Sequence, residues 1–238
     1  CSCPTHDTLN EGRLGVVLPR RAFLVQACGG REAGAIVWWL PTLRDADGEA
    51  GGRRMTRPGI LRNITDLAAG DHLCWLYEGE EEHRAVITPF LRQGLERGEK
   101  VLYIVDAHPA ESVLGYLRQD GLEVEPYLTR KQLRILTATD MYLAQGVFDP
   151  DAMVGLLRSE TARALAEGYS ALRVTGEMSW ATKGFPGSDR LIEYEAKLNA
   201  FFPGSRCLGI CQYDRRRFQP ELLLDVLRAH PRAAIGTL

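Results

Sequence analysis

The feature that most constrains this sequence is a regular alternation, beginning near Arg57, between short apolar runs and longer segments with helical spacing. Runs of about four to eight apolar residues are typical of strands buried on both faces of a sheet. They occupy residues 73–77, 101–105, 133–136, 171–175, 207–211 and 233–238. Between them, segments 83–96, 110–120, 150–167, 191–202 and 220–229 carry apolar residues at helical spacing. Glycine follows several of these segments, as expected at helix ends.

Strands that alternate with helices predict a parallel sheet covered by helices on both faces. The predicted fold class is therefore α/β, with three layers. We assign residues 57–238 to this domain. Residues 1–56 differ, because they are glycine-rich and contain a polar, turn-rich run at 45–54. They are predicted to form an N-terminal extension or linker of unknown role, with possible short strands at 14–18 and 33–40.

Composition narrows the class of protein further. The formal net charge is −2, which gives no broad attraction to nucleic acid or to an anionic membrane. The longest apolar stretch, 33–40, is far shorter than the roughly 20 residues of a membrane-spanning helix. We see no signal peptide, and Cys74, Cys207 and Cys211 lie in apolar runs where free cysteine acts as a small hydrophobe. A reducing cytoplasmic location is the expectation.

The loop after the first predicted strand occupies the position of a phosphate-binding loop. Such a loop needs glycines for backbone wrapping, a lysine for charge and a hydroxyl for Mg²⁺. Here residues 78–85 retain Gly79, place Arg84 where the lysine would stand and replace the hydroxyl with Ala85. Each of the nearby carboxylates would repel a phosphate charge at 4 Å by about 1–4 kcal/mol. Triphosphate binding in the usual mode is therefore not expected.

Four ordered blocks resemble the MEDS domain, the methanogen/methylotroph DcmR-type sensory domain. They are residues 70–77, 98–106, 173–180 and 211–214 within the stretch 57–238. The resemblance implies a relative of the RecA/KaiC-like P-loop fold that has lost its nucleotide motifs. Asp106-Ala107 stands where such an ATPase has catalytic acids, and Gly176-Glu177 stands where it has a Walker B aspartate. The resemblance also implies sensing of small hydrocarbon derivatives and control of an output module.

In a parallel α/β sheet, ligands bind at the carboxyl ends of the strands. A carboxylate there, such as Glu177, is expensive to desolvate unless it is paired, and we expect Arg84 or Arg215 to pair with it or Glu177 to orient a ligand. Aromatic and methionine side chains are expected to bury the ligand, although they also suit a protein core. The predicted ligand-binding residues are Tyr77, His83, Arg84, Asp106, Glu177, Met178, Trp180 and Tyr213.

Metal and catalytic sites are not predicted. His72, Cys74, His83 and Cys211 include two metal-ligand types, but no local pair has an established ligand spacing. The Cys1, Cys3 and His6 group is a weak metal motif, because it is a single CxC without a second ligand pair. Glu177 with His108 or His83 lacks an identifiable nucleophile, so we do not predict an enzyme.

The predicted function is a sensory or regulatory domain that binds a small, largely apolar organic molecule. The predicted partners are that ligand and an output protein or domain, without a cofactor, direct nucleic-acid contact by this chain or a membrane. One alternative is a regulator that keeps degenerate nucleotide binding. Another is a protein-binding scaffold with a filled interior.

Overall fold

A computed structural model describes residues 38–39 and 64–236, and these residues form a seven-stranded sheet. The strands are β1 (Trp38–Trp39), β2 (His72–Tyr77), β3 (Lys100–Val105), β4 (Leu133–Thr137), β5 (Leu172–Glu177), β6 (Cys207–Asp214) and β7 (Arg232–Ile235). Their spatial order is β1-β7-β2-β6-β5-β3-β4. Only β1 is antiparallel to its neighbour, and the other six strands are parallel.

Seven α-helices connect or flank these strands in the described part of the chain. They are α1 (Glu80–Glu96), α2 (Ala110–Gln119), α3 (Glu125–Thr129), α4 (Ala138–Met141), α5 (Pro150–Ala166), α6 (Leu191–Phe201) and α7 (Pro220–Ala229). A 3-10 helix, Met178–Lys183, follows β5 directly. The α/β prediction and all six predicted strands of the domain are confirmed, with strand ends shifted by a few residues. The sequence did not predict α3, α4 or the 3-10 helix, because they are too short to display a helical repeat.

Side chains on the two faces of the sheet form two separate hydrophobic cores. Phe90 of α1 and Leu117 of α2 pack with Trp75 and Tyr103 on one face, which we call the α1 face. Helices α5, α6 and α7 pack on the other face, the α5 face, against side chains that include Cys74 and Tyr213. Because successive side chains of a strand point to opposite faces, neighbouring residues of one strand belong to different cores.

The edge of the sheet includes a strand from the segment predicted as an extension. Trp38 pairs with Ala233 and Trp39 with Arg232, which agrees with a short strand inside 33–40. The other strand considered, at 14–18, lies outside the described residues.

A buried arginine fixes α1 against the sheet. The Arg173 guanidinium is fully buried, donates to Glu99 and to the carbonyl of Phe90, and lies 4.6 Å from the centre of the Phe90 ring. A Cβ atom on Gly94 would stand 2.5 Å from Arg173 Cδ and 2.9 Å from Val101 Cγ2. The packing therefore requires glycine at position 94.

We expect Gly94→Ala to destabilise the protein by about 1–3 kcal/mol, since Arg173 is held by its partners and cannot retreat. Gly115→Ala in α2 is the matched control, because nothing lies within 4 Å of its Cβ position. That change should stabilise the helix by about 0.5–1 kcal/mol. Urea unfolding of both variants measures the difference, and equal effects would contradict this account of Gly94.

Candidate functional site

Glu177 is the centre of a hydrogen-bonded network at the carboxyl edge of the sheet. Its Oε2 atom accepts backbone N–H bonds from Asp106 at 2.9 Å, from His108 at 3.0 Å and from Ala107. Its Oε1 atom accepts from Tyr103 Oη at 2.7 Å and lies 3.0 Å from His108 Nδ1. Successive N–H groups in a loop form an anion-binding concavity, and here the anion is this carboxylate. Glu177 thus joins the end of β5 to the loop after β3.

The charge of Glu177 is retained although the residue is buried. Burial by itself favours the neutral acid, but the hydrogen bond and the positive charge of His108 outweigh it, so the pKa of Glu177 is lowered. Burial also disfavours the charged form of His108, yet the bond to Glu177 raises its pKa overall. Each member of the pair thus stabilises the charged form of the other.

His83, in the first turn of α1, stacks on His108 with ring centres 3.8 Å apart and planes inclined by 9°. Its Nε2 atom lies 2.9 Å from Tyr103 Oη and 3.0 Å from Gln212 Oε1. Burial and the positive charge of His108 lower the pKa of His83 to about 4. Gln212 donates its amide N–H to Thr175, so Gln212 Oε1 accepts and His83 donates from Nε2. This leaves His83 Nδ1 as a buried acceptor without a hydrogen-bond partner in residues 64–236.

The loop after β2 is occupied by its own carboxylates, where a phosphate loop would bind its ligand. Glu82 accepts the backbone N–H of Glu78 at 2.7 Å, and Glu80 lies 3.3 Å from His108 Nε2. Glu78 accepts from Arg215 at 2.8 Å. The negative charges predicted from the sequence therefore surround the start of α1.

The expected arginine partners of Glu177 were wrong. Arg84 is exposed and its guanidinium lies over the Tyr116 ring at 5.6 Å, whereas Arg215 pairs with Glu78. Glu177 is satisfied by histidine, tyrosine and backbone donors instead. Residues 106–108 reach Glu177 because they follow β3, which lies next to β5 in the sheet.

Tyr77 and Asp106, two of the predicted ligand-binding residues, lie near this network. The Tyr77 ring packs 5.2 Å from that of His83. Asp106 accepts from Ser179 Oγ at 2.6 Å and from Lys183 Nζ at 2.7 Å, which joins the loop after β3 to the 3-10 helix. Four predicted residues are thus brought together, namely Tyr77, His83, Asp106 and Glu177. A ligand-orienting role for Glu177 stays a prediction, and such a ligand would have to replace one of its present hydrogen bonds.

Met178, Trp180 and Tyr213 do not share a cavity with these four residues, which corrects the sequence prediction. All three belong to the core of the α5 face, whereas Tyr77 belongs to the core of the α1 face. Tyr77 is level with Asp214 in the register of β2 and β6. Tyr213 is the residue before Asp214, so its side chain points to the face opposite that of Tyr77.

Trp180 is the centre of an aromatic cluster on the α5 face. It is fully buried, stacks on Tyr142 at 4.8 Å and packs at 4.5 Å from Phe148. Tyr194 packs edge-on to both of these partners. Met178 lies beside Tyr142 at a small internal void of about 20 Å³, which is close to the minimum that holds one water molecule.

A larger groove of about 480 Å³ lies between β4, α4 and α5, outside this aromatic cluster. Tyr142 lines both the groove and the void. The Tyr142 hydroxyl occupies space that a side chain at Gly176 would fill, at 2.3 Å from the Cβ position. Sequence reasoning missed Tyr142, because it follows the unpredicted helix α4.

Two groups of side chains have donor atoms close enough to hold a metal ion in the described residues. In the first, His83, His108 and Glu177, the carboxylate oxygens already accept hydrogen bonds and the rings are stacked. The second combines His72, Glu195, Cys211 and His230 on the α5 face. It differs because a carboxylate oxygen of Glu195 and a ring nitrogen of His230 have no hydrogen bond, whereas both carboxylate oxygens of Glu177 accept hydrogen bonds.

The structure thus defines a parallel α/β domain whose carboxyl edge is closed by its own side chains, with a ligand-sized groove beside its outermost strand. Residues 71–231 match the family described as MEDS, the MEthanogen/methylotroph, DcmR Sensory domain. The chain therefore belongs to the MEDS family, which confirms the resemblance found in the sequence.

The chain is also similar to a curated protein, the transcriptional repressor DcmR of Methylorubrum extorquens. The two are 29% identical over 184 residues, which cover 73% of this chain and 66% of the repressor. A crystal structure of a KaiC-like protein from Pyrococcus horikoshii OT3 superposes with a TM-score of 0.45 at 12% identity, covering 61% of this chain and 62% of that one. None of the helices in the described residues has the length and apolar character needed to cross a membrane.

Proposed function

We propose that this chain is the sensory part of a transcriptional regulator and that it binds a small, largely apolar organic molecule. Membership of a family of sensory domains and similarity to a transcriptional repressor support the regulatory role. The expected partner is an output protein or domain, because the chain matches 66% of the repressor's length. The proposal does not involve catalysis.

The groove beside Tyr142 is the observation that supports a small-molecule ligand most directly. Its volume of about 480 Å³ falls in the range of roughly 300–1,000 Å³ that is usual for ligand pockets. Apolar side chains supply much of the lining, with polar groups from β4, α4, α5 and the segment between the two helices. The apolar members are Leu136, Met141, Tyr142, Ala144, Val147, Ala152, Met153 and Leu156, and the polar ones are Arg134, Asp140, Gln145, Asp149, Glu160 and Arg163.

The position of Tyr142 suggests how occupancy of the groove would reach the rest of the domain. A ligand that presses on Tyr142 acts on Gly176 and on Trp180, on either side of Glu177. The same segment carries Ser179 and Lys183, which hold Asp106. A ligand that binds better when Tyr142 is displaced would shift the population of that conformation.

The proposal is tested by filling the groove. Ala152→Trp places an indole in it, because Ala152 is an exposed lining residue on α5. Ala162→Trp is the matched control, since Ala162 is exposed on the same helix but does not line the groove. Thermal unfolding is measured with 1-propanol and 1,2-dichloroethane as apolar probes, and with Mg-ATP as the competing ligand class.

We expect at least one apolar probe to raise the melting temperature of the original chain and of the control, and to have less than a tenth of that effect on Ala152→Trp. A saturating ligand at about 100 times its Kd stabilises by about 2.7 kcal/mol. Stabilisation by Mg-ATP alone would favour a nucleotide-binding regulator and overturn the proposal. No change with any probe would favour a scaffold that binds only protein, and would overturn it as well.

A further inference from the structure

Four side chains from four separate elements meet on the α5 face of the sheet. His72 begins β2, Cys211 lies in the neighbouring strand β6, Glu195 lies on α6 and His230 follows α7. None of the four is more than 5% exposed. One nitrogen, oxygen or sulfur atom from each lies within 4.8 Å of those of the others. We call this group the His72 cluster.

Three distances inside the His72 cluster are close to the edges of a metal coordination tetrahedron. His72 Nε2 lies 3.3 Å from Cys211 Sγ and 3.3 Å from Glu195 Oε2, and His230 Nε2 lies 3.0 Å from Glu195 Oε2. Bonds of about 2.0–2.3 Å from Zn²⁺ to nitrogen, oxygen and sulfur imply ligand-to-ligand edges of about 3.3–3.8 Å. The side chains are therefore already near the spacing that a tetrahedral ion requires.

The hydrogen bonds around the cluster fix both histidines in the tautomer that a metal needs. His230 Nδ1 lies 2.8 Å from the Val226 carbonyl oxygen, which can only accept. His72 Nδ1 lies 2.8 Å from Asn199 Oδ1, and Asn199 Nδ2 donates to the Ala229 carbonyl, which orients the amide. Both Nδ1 atoms therefore carry a proton, so each ring in its neutral form presents the Nε2 lone pair to the cluster. Metal-binding histidines are usually held in this way by a second partner.

The centre of the cluster is consequently rich in lone pairs. Glu195 Oε1 accepts from Tyr213, but Glu195 Oε2 and His230 Nε2 have no hydrogen-bond partner in the described residues, although they lie 3.0 Å apart. Two acceptors at that distance in a dry interior repel each other unless something positive lies between them. A proton on His230 Nε2 would supply one positive charge and pair with Glu195. A divalent ion would supply two, and with the Glu195 carboxylate and a Cys211 thiolate it would make the buried group electrically neutral.

We propose that His72, Glu195, Cys211 and His230 form a buried structural zinc site. Binding converts the Cys211 thiol to a thiolate and releases its proton to solvent. Four protein ligands complete the tetrahedron and leave no open position, which is the arrangement of structural rather than catalytic zinc. The mixture of imidazole, thiolate and carboxylate suits Zn²⁺ better than Mg²⁺ or Ca²⁺, which prefer oxygen ligands. The proposal departs from the sequence prediction, which contained no metal.

The test measures metal in the full chain, purified without an affinity tag and with Cys1 and Cys3 changed to serine, so that the N-terminal CxC motif contributes no metal. We expect close to one Zn²⁺ per chain by inductively coupled plasma mass spectrometry. Cys211→Ala should lower that content at least tenfold. Cys207→Ala should leave it unchanged, because Cys207 is a buried cysteine on the same face of β6 and lies outside the cluster.

A second measurement covers the case in which Cys211→Ala does not fold. The chain with Cys1 and Cys3 changed to serine, and with Cys211 retained, is produced in medium containing Co²⁺ in place of Zn²⁺, and its absorption spectrum is recorded. Tetrahedral Co²⁺ bands together with a sulfur-to-cobalt charge-transfer band are expected. A chain without stoichiometric metal, both as purified and after refolding with Zn²⁺, would overturn the proposal in favour of a proton-sharing cluster. Stoichiometric iron or copper instead would overturn the assignment to zinc, and equal zinc in Cys211→Ala would overturn the assignment to these residues.

Discussion

Glu177→Ala is expected to destabilise the domain by about 3–5 kcal/mol, the usual cost of removing one member of a buried, hydrogen-bonded charge pair. Glu177 is 1% exposed, and its two oxygens satisfy three backbone N–H groups, Tyr103 and His108. Removal leaves these donors without an acceptor in a site that water reaches poorly. Urea unfolding at pH 7 measures the loss.

Glu123→Ala is the control for this prediction, because Glu123 is exposed and its removal should change stability by less than about 0.5 kcal/mol. Glu177→Gln separates charge from shape. It keeps a side-chain oxygen but removes the negative charge that raises the pKa of His108. The pKa of His108, followed by NMR, should therefore fall in Glu177→Gln. An unchanged His108 pKa, or a loss below about 1 kcal/mol in Glu177→Ala, would contradict the role given to Glu177.

The free energy of unfolding is expected to fall by about 3 kcal/mol as the pH decreases from 6.5 to 4, because the contribution of neutral His83 is lost. The unfolded residue titrates near 6.5, whereas the folded residue titrates at about 4 because burial and the charge of His108 oppose protonation. Between these values the unfolded chain binds a proton that the folded chain excludes. The stabilising contribution of neutral His83 is thus complete above pH 6.5 and is lost on acidification.

Charged and titratable groups from several elements face His83, and their contributions must be separated. They are Tyr77, Tyr103, His108, Tyr116, Glu177 and Asp214. The free energy of unfolding is therefore compared between the original chain and His83→Gln at each pH. The free energy of unfolding of the original chain, minus that of His83→Gln, should fall as the pH decreases from 6.5 to 4. Glu177 and Asp214 have lowered pKa values, so their contributions are lost at lower pH and are common to both chains.

His108→Gln provides the control of opposite sign. The pKa of His108 in the folded protein is raised. The stabilising contribution of His108 is therefore complete below pH 6.5 and is lost as the pH rises through its pKa in the folded protein. The effect of this variant should therefore appear at higher pH than that of His83→Gln. If the free energy of unfolding of His83→Gln fell as steeply between pH 6.5 and 4 as that of the original chain, His83 would not control the acid sensitivity.

The sequence predicted the central residue of the site but not its partners. It identified Glu177 as a carboxylate that must be paired, because the residue ends a buried strand. It assigned the wrong partners, because Arg84 is exposed and Arg215 pairs with Glu78. The actual partners, Tyr103 and His108, depend on β3 lying next to β5. Strand order in a parallel sheet is set by long-range packing, which no local pattern in a single sequence records.

The sequence by itself determined the succession of strands and helices, the α/β class and the edge of the sheet at which residues such as Glu177 lie. These follow from local periodicity and from the geometry of parallel strands. Only the tertiary structure decided which face each side chain occupies and which distant residues meet. Tyr77 and Tyr213 were separated because one step in register reverses the face. His72 and His230 were joined, with ring centres 4.4 Å apart, because the residue after α7 packs against the start of β2. Burial and mutual contact in three dimensions, rather than spacing along the chain, determine the charge and the chemistry of those side chains.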